Sequence, residues 1–165
     1  MKHYLNTIKS SVLFLLCLLF LVNTVHSEEF SFYGVSFDLP ENWNIKLTSG
    51  KKDIQLTDPE EKLILIGSFL LKEEEKKMNL DELAEKFISG LRSSSKNFRI
   101  IESGKTDLNG IISFYIIFPI VTEKESINSK IYLVRTAKNF YSILSVPYNS
   151  NNFWDNIVIK TFKFD

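Results

Sequence analysis

The run Ile111–Val121, IISFYIIFPIV, narrows the choice of folds more than any other stretch of this chain. Its even and odd positions are both apolar, so as a strand it has no face to give to water. Asn109-Gly110, directly before it, is the strongest short hairpin signal, because both central residues of a tight two-residue turn need positive φ. The run is therefore expected to return antiparallel to a strand over 98–106. Leu63–Leu71, LILIGSFLL, repeats the two-sided apolar pattern. Two such strands belong inside a sheet that is covered on both faces.

Shorter alternating segments supply the rest of that sheet. Phe30, Phe32, Val35, Phe37 and Leu39 mark two strands about a kink or turn at Tyr33-Gly34. Trp43, Ile45 and Leu47 alternate after a turn at Pro40–Asn42, and Ile54 and Leu56 mark a further strand. The segments 131–136 and 140–146 flank Ala137-Lys138-Asn139, which reads as another hairpin because Asn tolerates the left-handed region. KEEEKK (72–77) and TEKESINS (122–129) read as solvated polar loops.

The cover is expected to be helical. Leu80, Leu83, Ala84, Phe87, Ile88 and Leu91 recur at helical spacing, and Asn79 with Glu82 three residues on forms a capping-box pattern. Asn149 to Asn152 can cap a second, shorter helix holding Phe153, Trp154, Ile157 and Val158, before an extended tail at 160–165. One helix per face gives an α+β fold, a three-layer α/β/α sandwich with a mostly antiparallel sheet.

Residues 1–27 differ in character. Lys2 and Lys9 are their only formal charges, Val12–Val22 is unbroken apolar sequence, and Val25 and Ser27 occupy the positions a signal peptidase reads. The expected domains are a signal peptide at 1–27, cut between Ser27 and Glu28, and one domain at 28–165. The apolar run is shorter than the roughly 18–20 residues a membrane span requires, which favours a cleaved leader over a retained anchor. Leu16, before Cys17, is not the small residue that lipidation requires, so Cys17 belongs to the leader.

Cleavage removes chemistry. The chain's one cysteine, Cys17, and its two histidines, His3 and His26, all precede the cut. The mature chain then lacks a thiolate nucleophile, a disulfide and an imidazole base, and no metal or cofactor is expected. Of 20 Lys and Arg, Lys2 and Lys9 leave with the leader; the other 18 face 20 Asp and Glu, a net charge of −2. That balance gives no reason to expect a nucleic-acid partner, and the expected membrane contact is through the transient leader alone.

The segment Tyr33-Gly34-Val35-Ser36-Phe37-Asp38-Leu39-Pro40-Glu41-Asn42-Trp43, followed in order by Leu80–Leu91, Leu108-Asn109-Gly110 and Ile157–Phe162, resembles the PsbP/Mog-like superfamily. The resemblance spans nearly all of residues 28–165 and implies an α/β/α sandwich. It also implies accessory binding rather than catalysis. Plant and cyanobacterial PsbP proteins are extrinsic subunits of photosystem II, the Mog branch binds the GTPase Ran, and DcrB-like members sit in the bacterial envelope. The histidines associated with metal in the photosynthetic branch have no counterpart after residue 27.

Within FDLPENW, Asp38, Glu41 and Trp43 could surround a ligand, or Pro40–Asn42 could be a turn leading to a core tryptophan; the shared face of Trp43, Ile45 and Leu47 favours the turn. No catalytic residue is assigned, since nucleophile elbows, phosphate loops and calcium loops are absent from the sequence. Glu123, Lys124 and Glu125 are the expected docking surface, joined by Lys51-Lys52 or Lys72–Lys77 if these lie at the same end. The expected function is an exported, periplasmic or secreted, non-enzymatic accessory protein with a protein partner in the envelope. The alternatives are a carrier of a small apolar ligand and a carboxylate-dependent hydrolase.

Overall fold

Turn chemistry sets the hairpins of the chain, whose computed structural model describes residues 28–47, 53–122, 125–148 and 159–165. Strands β1 (Glu28–Phe32) and β2 (Val35–Leu39) meet through Tyr33 and Gly34 at φ 47° and 79°. Strands β6 (Glu102–Leu108) and β7 (Ile111–Val121) meet through Asn109 and Gly110 at φ 54° and 84°. Two successive positive φ values match the twist of the flanking strands, which is why Gly ends both turns. The β6–β7 turn is also held from outside: Asn109 Nδ2 donates to the carbonyls of Ile159 and Phe162 at 3.2 and 2.7 Å.

The remaining strands are β3 (Asn44–Leu47), β4 (Asp53–Thr57), β5 (Leu63–Leu70), β8 (Ser126–Arg135), β9 (Asn139–Val146) and β10 (Lys163–Phe164). Seven of the ten strands form one antiparallel sheet in the order β3-β4-β5-β9-β8-β7-β6. The other three form a small sheet in the order β1-β2-β10. The helix α1 (Leu80–Ser94) starts with the expected box: Asn79 Oδ1 accepts the Glu82 amide at 3.0 Å, and Glu82 Oε2 accepts the Asn79 amide at 2.7 Å.

Strand β8 shows how the layers form. Ile131 and Leu133 join the core that holds Leu83, Ala84 and Ile88 of α1, while Tyr132 and Val134 join the core that holds Phe32, Val35 and Phe37 of the small sheet. Alternate residues of one strand thus serve two cores. The large sheet lies between α1 on one face and the small sheet on the other.

This corrects the expected α/β/α sandwich with a helix on each face. The requirement for two-sided cover holds, but on the second face a sheet meets it. Phe32, Val35 and Phe37, with Phe162 packed against Phe37, give the small sheet an apolar side, and apolar burial does not depend on whether the covering element is a helix or a ribbon. The predicted helix over Phe153–Val158 lies outside the described residues, and α1 is the one α-helix among those described. The strand predicted at 98–106 begins only at Glu102, because Phe98 and Ile100 turn towards the α1 core. The loop predicted at 122–129 is shorter, since Val121 pairs with Ser126 and Ile120 with Ile127. Lys72–Lys77 holds a 3₁₀ turn at Glu75–Lys77 instead of running as an open loop, pinned by the Lys72 amide on Glu75 Oε2 and by Arg135 on the Lys76 carbonyl.

Candidate functional site

FDLPENW is a turn with a core residue behind it. The Trp43 amide donates to the Pro40 carbonyl at 3.3 Å, Asn42 takes φ 72°, and the Trp43 side chain is 8% exposed in the core under the small sheet. Asp38 contributes a backbone amide to Thr161 Oγ1, and Glu41 is exposed.

The expected docking loop is the tip of the β7–β8 hairpin. The Thr122 amide donates to the Glu125 carbonyl at 2.8 Å, and the Glu125 amide returns to Thr122 Oγ1 at 3.1 Å. Glu125 is exposed; Glu123 and Lys124 lie outside the described residues. Beside the tip a hollow of about 320 Å³ opens between α1 and β7, lined by Leu91, Ser94, Phe98, Phe118, Ile120 and Val121. Lys72–Lys77 is not at this end. Strand β8 runs from Ser126 at the tip to Arg135, which binds Lys76, so about 30 Å of extended chain separates the two segments. Lys51 and Lys52 lie outside the described residues; the next residue, Asp53, pairs with Gly67 on the half of β5 nearer to Lys72.

The opposite end of the large sheet carries a wider cleft, of about 550 Å³, which sequence reasoning missed. The β1–β2 turn brings Tyr33 and Gly34, the end of β5 brings Ser68, Phe69 and Leu70, the β8–β9 hairpin brings Lys138 and Asn139, and Asp165 closes one side. Tyr33, Phe69 and Leu70 are 56%, 46% and 82% exposed. Phe69 and Leu70 pair with Phe140 and Asn139 of β9 on one side; on the other, Asp53 with Gly67 is the last β4–β5 pair among the described residues. Behind Phe69 an apolar hollow of about 170 Å³ is lined by Leu71, Leu83, Phe87 and Phe140, with the Glu75–Lys86 ion pair at its rim. The signal available in the sequence was Phe69-Leu70-Leu71 running straight into a charged segment.

The walls of this cleft are braced. The buried Tyr141 phenol donates to the Tyr33 carbonyl and accepts from Asn139 Nδ2, both at 2.9 Å. The Asp165 amide donates to the Gly34 carbonyl at 2.9 Å. Asn139 lies in β9 and serves as a side-chain donor; its backbone is not in the left-handed region.

The strand tyrosines pack. Burial pushes the Tyr141 phenol up, and the hydrogen bond from Tyr115 to Glu102 Oε1, at 2.6 Å, raises the Tyr115 phenol above the usual range. Both shifts hold the phenols neutral, the wrong direction for a general base. Lys130 Nζ lies 4.7–5.0 Å from the ring centres of Tyr115, Tyr132 and Tyr148, a cation–π arrangement. Among the described residues no three His, Cys, Asp or Glu side chains are grouped to hold a metal ion, and no helix is long and apolar enough to cross a membrane.

No protein-family model and no curated protein matches the sequence. Solved structures match the fold, and by that likeness the chain adopts a PsbP-like fold. The particular likeness is to cyanobacterial PsbP (CyanoP) from Synechocystis sp. PCC 6803, with a TM-score of 0.61 over 87% of this chain and 95% of that one, at 13% identity. A protein of Bacteroides thetaiotaomicron VPI-5482 matches with the same TM-score at 15% identity, over 84% of this chain and 48% of its own.

Proposed function

We propose that this chain is an exported, non-enzymatic accessory protein of the cell envelope that works by binding another protein. The observation that carries the reading is the shared fold with CyanoP, which extends over almost all of that protein. Fold alone does not fix function, and the make-up of the chain supplies the second support. Residues 28–165 contain no cysteine and no histidine, so the commonest nucleophile and general base are missing from them. Export is supported by the leader. That leader is the apolar run Val12–Val22 with Val25 and Ser27 at the positions a signal peptidase reads.

The docking surface in this reading is the β7–β8 tip at Glu123, Lys124 and Glu125, beside the 320 Å³ hollow whose rim residue Val121 is 62% exposed. An apolar anchor point next to a charged rim is how small interfaces combine affinity with steering. The carrier reading is less well supported: the most apolar hollow, behind Phe69, is about 170 Å³, against the several hundred usual for a ligand pocket, and the 550 Å³ cleft has Ser68, Lys138, Asn139 and Asp165 among its walls. The test is crosslinking in the native envelope and identification of the captured protein. Glu123→Lys with Glu125→Lys is expected to weaken that capture and leave Tm within a few degrees. Unchanged capture moves the docking surface elsewhere.

A further inference from the structure

We propose that Asn109-Gly110 is a site of spontaneous deamidation which the end of the chain holds shut, and that conversion there frees that end. Asparagine followed by glycine is open to this chemistry because glycine has no side chain to keep the attacking backbone nitrogen away from the asparagine amide. The Gly110 nitrogen gives its proton to hydroxide and attacks Cγ of Asn109. The new N–Cγ bond closes a cyclic imide as the Cγ–Nδ2 bond breaks, and Nδ2 leaves as ammonia with a proton from water. Hydroxide is thereby regenerated. Hydrolysis of the ring leaves aspartate or isoaspartate at position 109, a covalent change that needs water and no enzyme.

The fold restrains this reaction by bonds and not by burial. Asn109 and Gly110 are exposed, and apart from the chain neighbours no described atom lies within 4 Å of where a Gly110 Cβ would stand, so water reaches the turn. The Asn109 amide is tied through Nδ2 to the carbonyls of Ile159 and Phe162 at 3.2 and 2.7 Å, which keeps Cγ from swinging onto the Gly110 nitrogen. That nitrogen donates to Asp107 Oδ1 at 2.7 Å, and a carboxylate so close disfavours the anion the nitrogen must become. The tether on Asn109 is the segment 159–165, whose Phe162 is buried against Phe37 and whose strand β10 pairs with β2. When that segment lifts, the amide is released. Conversion then works against its return. A carboxylate has no N–H to donate, so at position 109 it sets an acceptor against the same carbonyls. Isoaspartate also lengthens the main chain inside the turn that sets β6 against β7. The inference is independent of the docking reading.

The test uses the exported protein purified from cells that express the full chain, held folded at mildly alkaline pH and, in parallel, unfolded in guanidinium chloride. Trypsin then releases residues 106–124, which contain Asn109 and no other Asn or Gln, and mass spectrometry follows the amide-to-acid gain. Conversion is expected to be about tenfold or more slower in the folded protein than in the unfolded one. Phe164→Ala removes a ring that packs on Phe162 and Tyr141 within the tether. It is expected to speed the folded reaction about threefold or more and to leave the unfolded rate unchanged. Ile88→Val loosens the α1 core on the other face and is expected to leave both rates unchanged. Circular dichroism checks that the variants fold. Asn109→Asp is expected to raise hydrogen exchange in residues 159–165 and to leave β8 and β9 as in wild type, an arm that stands even if Phe164→Ala does not fold. The proposal is overturned if wild type converts as fast folded as unfolded, or if folded Phe164→Ala is no faster than wild type. It is equally overturned if Ile88→Val is as fast as Phe164→Ala, since global unfolding is then the gate, or if Asn109→Asp leaves exchange in 159–165 unchanged.

Discussion

The Tyr141 phenol donates a 2.9 Å hydrogen bond to the carbonyl of Tyr33, across 108 residues of sequence, and so fastens the small sheet to the large one. The neighbouring Gly34, at φ 79°, has no room for a side chain: a Cβ there would lie 3.0 Å from the same phenolic oxygen. Tyr141→Phe is expected to cost about 1–2 kcal/mol, the usual loss when buried hydrogen-bond partners are left behind. Gly34→Ala is expected to cost a similar amount through its left-handed backbone alone, plus the close contact. The two changes share an atom, so the double variant should cost less than their sum. Urea unfolding of the four proteins measures the coupling.

Trp43 is expected to dominate the stretch that contains it. Trp43→Ala should cost about 3–5 kcal/mol, as for large aromatic truncations in closed cores. Asp38→Asn and Glu41→Gln should each cost under about 1 kcal/mol, because Asp38 works through its backbone amide and Glu41 is exposed. Thermal and denaturant unfolding separate the cases.

The Glu75–Lys86 pair predicts an acid limb. The Lys86 ammonium, 2.6 Å from Glu75 Oε1, and then the Lys72 amide hold the Glu75 carboxyl below its ordinary value. A carboxylate depressed in the folded state stabilises the fold above its unfolded pKa, and that contribution is lost as pH falls through the folded value. Lys86 is raised, mainly by Glu75, so its share is present below the ordinary lysine value and lost as pH rises through the folded one. The stability gap between wild type and Glu75→Gln should therefore hold at neutral pH and narrow below about pH 4.5. Urea titrations across that range check it.

Export predicts the composition of the mature protein. N-terminal sequencing of the exported form should begin at Glu28, and reductant should leave its Tm unchanged because Cys17 has been removed. A start at Cys17, or a shift with dithiothreitol, contradicts the leader assignment.

The sequence by itself determined what local chemistry controls. Asn109-Gly110 made its turn because two positive-φ residues leave few other choices, Asn79 and Glu82 made their box, and the middle of Ile111–Val121, residues 116–119, was buried on both sides because it has no polar face, while Ile112 and Val121 near its ends stay exposed. Trp43 was legible as core from its period-2 neighbours. What covers the second face was not legible, because burial rewards any apolar surface of the right shape. Only the tertiary structure brought Phe37 of β2 and Phe162 near the chain's end together as that cover. The cleft at Tyr33, Phe69 and Lys138 escaped for the same reason: its residues are far apart in sequence and meet only when the β1–β2 turn, β5 and the β8–β9 hairpin come together. Register between strands, which no single segment encodes, decided which apolar residues were covered and which stayed exposed.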